Sequence, residues 1–309
     1  MFALSTCWNA SRHTDGKAML EEVRSLGFEY AELGHNTSIA LLPGIQSAVT
    51  QGVIKIAALH NFCPLPIGVM GMAPDCYLPS AVDNHERDTA LRHTLRTLEC
   101  AAMLGAKAVV LHLGCVPMRW PNRPRQLLAM YGAGKAQTPQ FEQLRQKTLA
   151  ARERKRKKHF AQVCHVLDRL VPRVKELKLK LGMETRMCIH EIPNEDEADS
   201  LIGCYGADAL TYWFDNAHGQ IKENMGLLQQ EAVLERFRGR MSGMHVQDFR
   251  PPLMDHLPPS EGTYDFARLA PFVSDDMIVS WEFHGDWDHA VIAEGTRRAH
   301  KLLRRPVAA

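Results

Sequence analysis

Four residues of metal-binding type each lie at the end of a short apolar run. Glu184 ends LKLGMET but for one residue, Asp215 ends TYWFD, His245 lies in GRMSGMHVQD and Glu282 in MIVSWEFH. Two glutamates, an aspartate and an imidazole make a mixed oxygen and nitrogen donor set. Such a set suits one divalent cation, manganese, cobalt, magnesium or zinc, without choosing among them. The bland alternative is a salt-bridge network with Arg186, Lys222 and Arg250. Against it stands the recurrence of ligand types after successive strands, because distant positions of this kind converge only on the rim of a closed barrel.

His218 follows Asp215 in the motif D-N-A-H. It either caps or packs under the next helix, or points into the same pocket as a ligand for a second metal or a donor to a substrate oxygen. His60 and His112 close two earlier strand-like runs, VIKIAALHN and AKAVVLHLG, and are placed to line the same bowl.

The elements that must carry these residues alternate from the first residue. Strands are expected at 2–7, 28–34, 53–61 and 106–114, and four more carry Glu184, Asp215, His245 and Glu282. Helices are expected at 14–26 with Thr14 as cap, 38–50, 85–104, a long one near 148–177 bent at Pro172, 196–205, 226–237 and 288–303. Residues 62–83 and the stretch after 115 are rich in proline and read as insertions without elements of their own. Residues 253–266 also read as a loop, with a short turn of helix at 266–269. Eight strand-helix units in 309 residues match an α/β fold of the (β/α)8 TIM barrel type, one domain over 1–309 with insertions after strands three and four. A doubly wound open sheet would need a glycine-rich phosphate loop after an early strand, and the first turn reads WNASRHTDG instead.

Composition narrows the partners. Lysine and arginine number 37 against 35 acidic residues, so no global field draws nucleic acid or an anionic surface. The basic run RERKRKK at 152–158 reads as the solvent face of a helix. Eight scattered cysteines without a C-x-x-C pair read as free thiols. With no leader pattern and no apolar run of about 18 residues, neither export nor membrane insertion is indicated, and the cytoplasm is the expected place.

The pieces AELG at 31–34, LHN at 59–61, LHLG at 111–114, METR at 183–186, DNAH at 215–218, HVQD at 245–248 and WEF at 281–283 resemble the xylose isomerase-like TIM barrel superfamily. That resemblance spans almost the whole chain. It implies a divalent-metal-dependent isomerase or epimerase acting on a sugar, sugar phosphate or cyclitol through an enediolate. By similarity to the ketose 3-epimerases of the superfamily, Glu184, Asp215, His245 and Glu282 hold the metal. Glu184 and Glu282 also exchange the proton, while His218 contacts a substrate oxygen. Substrate contacts are implied for His60, His112, His190, Glu191, His218 and Arg250. The chain departs from the family pattern at two positions: a glutamate expected six residues after Glu184 is His190, with Glu191 next to it, and an arginine expected at Pro251 has its neighbour Arg250 instead. A homodimer is implied as well.

The family 2 apurinic endonucleases resemble the chain too. His60, His112, Glu184, Asp215, His218, His245 and Glu282 match their zinc-ligand positions. Their Asp-x-His pair is replaced by the adjacent Asp255 and His256, which predicts loss of the third zinc's geometry, so nucleic acid is not the expected partner. A metal-stabilised barrel that binds a sugar without turnover is the non-enzyme alternative. Loop residues Arg119, Arg123 and Arg125 are candidates to meet a phosphate, Trp8 and His13 to line the pocket, and Trp120, Met130 and Tyr131 to form an exposed apolar surface.

Overall fold

Short β-rich runs alternating with amphipathic segments form, in the computed structural model of residues 1–118 and 120–304, a closed parallel barrel. The chain runs β1 (Phe2–Ser5), α1 (Gly16–Ser25), β2 (Tyr30–Leu33), α2 (Leu42–Thr50), β3 (Lys55–His60), α3 (Asn84–Met103) and β4 (Ala108–Leu111). It continues through α4 (Arg123–Gly132), α5 (Pro139–Glu176), β5 (Lys180–Glu184), α6 (Glu195–Tyr205), β6 (Leu210–Asp215), α7 (Asn216–Asn224) and α8 (Gln230–Arg236). The last part holds β7 (Met241–Val246), the hairpin β8 (Asp248–Arg250) and β9 (Met254–Leu257), then β10 (Ile278–Trp281) and α9 (His289–Leu303). Around the barrel the order is β1-β10-β7-β6-β5-β4-β3-β2.

Alternation along the strands decides what faces the barrel axis, since successive side chains point to opposite sides. One apolar cluster gathers Ala3, Ala57, Ala58, Ala108, Val110, Ile278 and Trp213, mostly small residues around one large ring. Trp213 has room because glycines flank it on both neighbouring strands. A Cβ on Gly243 would come within 2.3 Å of the indole, and one on Gly182 within 2.8 Å. Two residues beyond these three, on the same side of their strands, come Asp215, His245 and Glu184. The tryptophan therefore underlies the candidate site, with its ring 5.3 Å from that of His245 in an edge contact. The larger apolar cluster lies outside, between strands and helices.

Several sequence expectations need correction. The stretch after residue 115 contains α4, because Asn122 caps it through Arg125 N and Pro124 suits a first turn. The long helix starts earlier, at Pro139 behind the Thr138 cap, and runs on as one element past Pro172. Where one helix at 226–237 was expected there are two, since Asp215 caps α7 directly at the strand's end. Residues 253–266 contain β9, which pairs antiparallel with β8. Asp15 rather than Thr14 caps α1, accepting from Lys17 N and Ala18 N.

The basic run begins α5's exposed stretch, yet its first arginine is not free. Arg152 is buried, 2.6 Å from Glu197, which also completes a capping box with Asn194 on α6. Arg156 pairs with Glu153 at 2.8 Å. Two of the six cations thus serve the fold. Tyr131 is buried with its hydroxyl accepting from Asn224, so the proposed apolar surface is reduced to an exposed Trp120 and half-buried Met130. Arg119 lies outside the described residues.

Candidate metal and active site

Asp215 shows how local folding aims a carboxylate. Its Oδ1 accepts the backbone N–H of His218 at 2.8 Å, ending β6 and starting α7. The other oxygen, Oδ2, accepts from Gln247 Nε2 at 2.7 Å and lies 3.9 Å from His245 Nδ1. Strand register places Asp215 directly beside His245.

His245 is the centre of the arrangement. Its Nε2 lies 3.2 Å from both oxygens of Glu32, a fully buried carboxylate on β2. The carboxylate thereby fixes Nε2–H as donor and turns Nδ1 toward the other acids. Nδ1 lies 3.2 Å from Glu282 Oε2 and 3.7 Å from Glu184 Oε1. Even so, this buried nitrogen has no hydrogen-bond partner. An unpartnered imidazole nitrogen facing three buried carboxylates fits a divalent cation, and ligand atoms of Glu184, Asp215, His245 and Glu282 all lie within 4.8 Å of one another.

Two further groups share these acids. His60 Nε2 and His112 Nε2 lie 3.0 and 2.8 Å from Glu184 Oε2. Their Nδ1 atoms are engaged elsewhere, His60 with the carbonyl of Asn61 at 2.9 Å and His112 with Asp75 at 3.1 Å. Both rings thus present Nε2 to the shared glutamate. On the opposite flank, Asp215 and His218 meet His256. The adjacent pair Asp255-His256 was expected to lose this geometry. His256 alone of the pair joins a ligand group, from a left-handed backbone position (φ 55°) on β9, while Asp255 joins none and binds the imidazole instead. Its Nδ1 is held at 3.0 Å by Asp255, and Nε2 reaches to 3.6 Å from Glu282.

Electrostatics follow from this crowding. Burial opposes ionising Glu184, but His112, His218 and His245 outweigh it and hold the carboxyl well below the usual carboxylate range. Glu282 is lowered in the same way, against burial, by His245 and His256. Asp215 goes the other way, raised by burial and by the like charge of Glu184. Burial also disfavours the charged imidazoles, yet Asp215 and Glu184 raise His218 to about 9. Asp255 and Glu282 raise His256 to about 10 by the same contest with burial. Protons on imidazoles balance the buried acids in the metal-free chain, and a cation fits the same place.

The remaining residues divide clearly. Glu191 pairs with Arg186 at 2.7 Å, and Arg186 lies against the His112 ring and reaches Asp75 at 3.0 Å. Glu191 therefore acts through Arg186. His190, beside the Cys115–Glu191 bridge, has a buried Nδ1 without a hydrogen bond and joins none of the ligand groups. Arg250 is a correction: its guanidinium bonds the carbonyl of Glu261 on the exposed side of the hairpin, not the acids of the site. Lys222 pairs with Glu195, so neither it, Arg186 nor Arg250 makes an ion pair with the three acids Glu184, Asp215 and Glu282, and the salt-bridge alternative fails. Trp8 is a buried plug whose Nε1 donates to Trp287 O, and His13 binds Glu22 at 2.6 Å. Glu32, His35, Asp75, Asp255, His256 and His284 complete the surroundings. Only Glu32, in AELG, and the Asp255-His256 pair had sequence signals.

Residues 20–305 match the xylose isomerase-like TIM barrel family, and the chain belongs to it. Among solved structures, it is similar to a putative xylose isomerase from Rhodospirillum rubrum (TM-score 0.71, 15% identity, 98% of each chain covered). A 3-keto-D-glucoside 4-epimerase from E. coli aligns with a TM-score of 0.68 at 13% identity, covering 97% of this chain and 98% of that one. A D-psicose 3-epimerase from Clostridium cellulolyticum, solved with D-tagatose, gives 0.64 at 11% identity over 98% of each. At these identities the likeness is one of fold. No curated protein matches the chain in sequence. Among the described residues no helix is long and apolar enough to cross a membrane.

Proposed function

We propose that the protein is a metal-dependent isomerase or epimerase of a small sugar or cyclitol. The observation that carries this reading is the unpartnered, buried His245 Nδ1 facing Glu184, Asp215 and Glu282 on the barrel rim. Manganese, cobalt, magnesium or zinc, held by those four residues, would supply charge to polarise a substrate carbonyl and fix neighbouring oxygens.

The chain's own groups do the rest. Glu184 on β5 and Glu282 after β10 are separated around the barrel by β6 and β7, so they flank a substrate from two sides. One carboxylate takes the proton from the carbon beside the carbonyl, and the other returns a proton to the opposite face. His218, charged near neutral pH, donates to a substrate oxygen. His60, His112 and the Arg186-Glu191 pair wall the other flank. Burial of the acids excludes water from the developing enediolate. Chelation should abolish turnover of a ketose substrate, and each divalent ion added back singly shows which restores it. Full activity in chelated, metal-free protein would refute the reading.

A second reading is favoured by one observation, the three adjoining ligand groups that share Glu184 and Asp215. Such clustering suits phosphodiester hydrolysis. Metal-loaded protein incubated with an abasic-site duplex decides: an intact strand supports the epimerase reading, and cleavage lost in Glu184→Gln reverses the ranking.

A further inference from the structure

A fourth group of potential ligands lies on the other side of Glu282. Cys7, His35 and His284 follow the C-terminal ends of β1, β2 and β10, three adjacent strands of the barrel. With Glu282 they offer one ligand atom each within 4.8 Å of one another. Cys7 Sγ lies 3.5 Å from Glu282 Oε1, whereas the other oxygen, Oε2, faces His245 and His256. The two oxygens of one carboxylate therefore face two different groups of ligand-type residues.

Two features set this group apart from ordinary packing. His35 is only 6% exposed, and its Nδ1 has no hydrogen-bond partner. His284 Nε2 is likewise buried and unpaired. Leaving two imidazole nitrogens unsatisfied beside a thiol and a carboxylate costs free energy that a bound ion recovers. The approach of the strands is also specific. A Cβ on Gly34 would lie 2.4 Å from Cys7 Sγ, so only glycine lets the end of β2 bring His35 against the thiol.

We propose that Cys7, His35, Glu282 and His284 form a separate site for a borderline-soft divalent ion such as zinc, cobalt(II) or iron(II), bridged through Glu282 to the centre described above. One sulfur, two nitrogens and one oxygen disfavour magnesium and calcium, which take oxygen donors. Four protein ligands make a closed tetrahedral set of the structural kind. On binding, the Cys7 thiol forms its bond to the ion and releases its proton to solvent. The ion would fix the orientation of Glu282 from behind. The site shares Glu282 with the proposed centre, but it needs no turnover to be detected.

The test is X-ray absorption at the zinc edge on metal-loaded protein, with optical spectra of the cobalt(II) form. A sulfur shell at about 2.3 Å and a thiolate-to-cobalt charge-transfer band are expected. Both should vanish in Cys7→Ser, and His284→Gln should bind one fewer equivalent of metal. Absence of sulfur from the wild-type zinc shell overturns the proposal, and that result requires no variant to fold. Sulfur retained in Cys7→Ser also overturns it, since another thiol would then be the ligand. A protein that shows the band but turns over no sugar leaves this site standing and removes the epimerase reading; an active protein without the band does the reverse.

Discussion

Replacing Glu32 should weaken metal binding although the residue stands behind the ligands. Both its oxygens lie 3.2 Å from His245 Nε2, and both side chains are wholly buried. No water can substitute without repacking. Loss of a carboxylate that orients a ligating imidazole typically reduces metal affinity or activity about 10- to 100-fold. That range corresponds to about 1.4–2.8 kcal/mol. Glu32→Gln keeps an acceptor for Nε2–H but loses the charge, which places it near the lower end. Glu32→Leu removes the acceptor and leaves a buried N–H unpaired, a cost of about 1–3 kcal/mol, which places it near the upper end. Competition against a chelating dye, with circular dichroism to confirm folding, gives the affinities. A folded Glu32→Leu protein with wild-type affinity would refute the argument that Glu32 sets the His245 tautomer.

Gly243→Ala should destabilise the barrel by about 1–3 kcal/mol, as overpacking does, because the new methyl meets the Trp213 indole; urea unfolding measures it. Loss of activity is expected alongside, since Trp213 supports His245. Metal uptake at pH 7.5 should release protons, because Glu282 and Glu32 hold His245 well above its ordinary value against burial and ligation requires a neutral imidazole, whereas His218 and His256, raised to about 9 and about 10, stay charged. Calorimetry in buffers of different ionisation enthalpy counts them. The same raised values stabilise the metal-free fold fully below the unfolded histidine value of about 6.5, and that contribution is lost as pH rises through about 9 to 10. Thermal melts of metal-free protein should therefore fall on the alkaline side, and those of loaded protein less so.

The barrel and its four central ligand types were legible because both obey short-range rules. Strand runs ending in Glu184, Asp215, His245 and Glu282 alternate with helices, and each ligand sits at its run's end. The rest depended on contacts across long sequence distances. Glu32 meets His245 across 213 residues, and Asp75, from an insertion that reads as featureless, meets His112. His35 and His284 follow strands without any motif to mark them. For the Asp255-His256 pair, spacing does not report the left-handed backbone at His256, so the sequence could not show that His256 alone joins a ligand group while Asp255 binds its ring. Arg250 ends β8 just before the turn and binds the Glu261 carbonyl, a contact that adjacency to an expected position does not report.

Proton exchange at carbon tests the central claim most directly. Metal-loaded protein is incubated with candidate ketoses and cyclitols in deuterated water, and recovered substrate and product are analysed by mass and stereochemistry. Deuterium is predicted at the carbon beside the carbonyl. Label and turnover should both fall at least ~10²-fold in Glu184→Gln and in Glu282→Gln at retained metal occupancy. Normal product formation by a metal-occupied variant lacking both carboxylates would contradict the account.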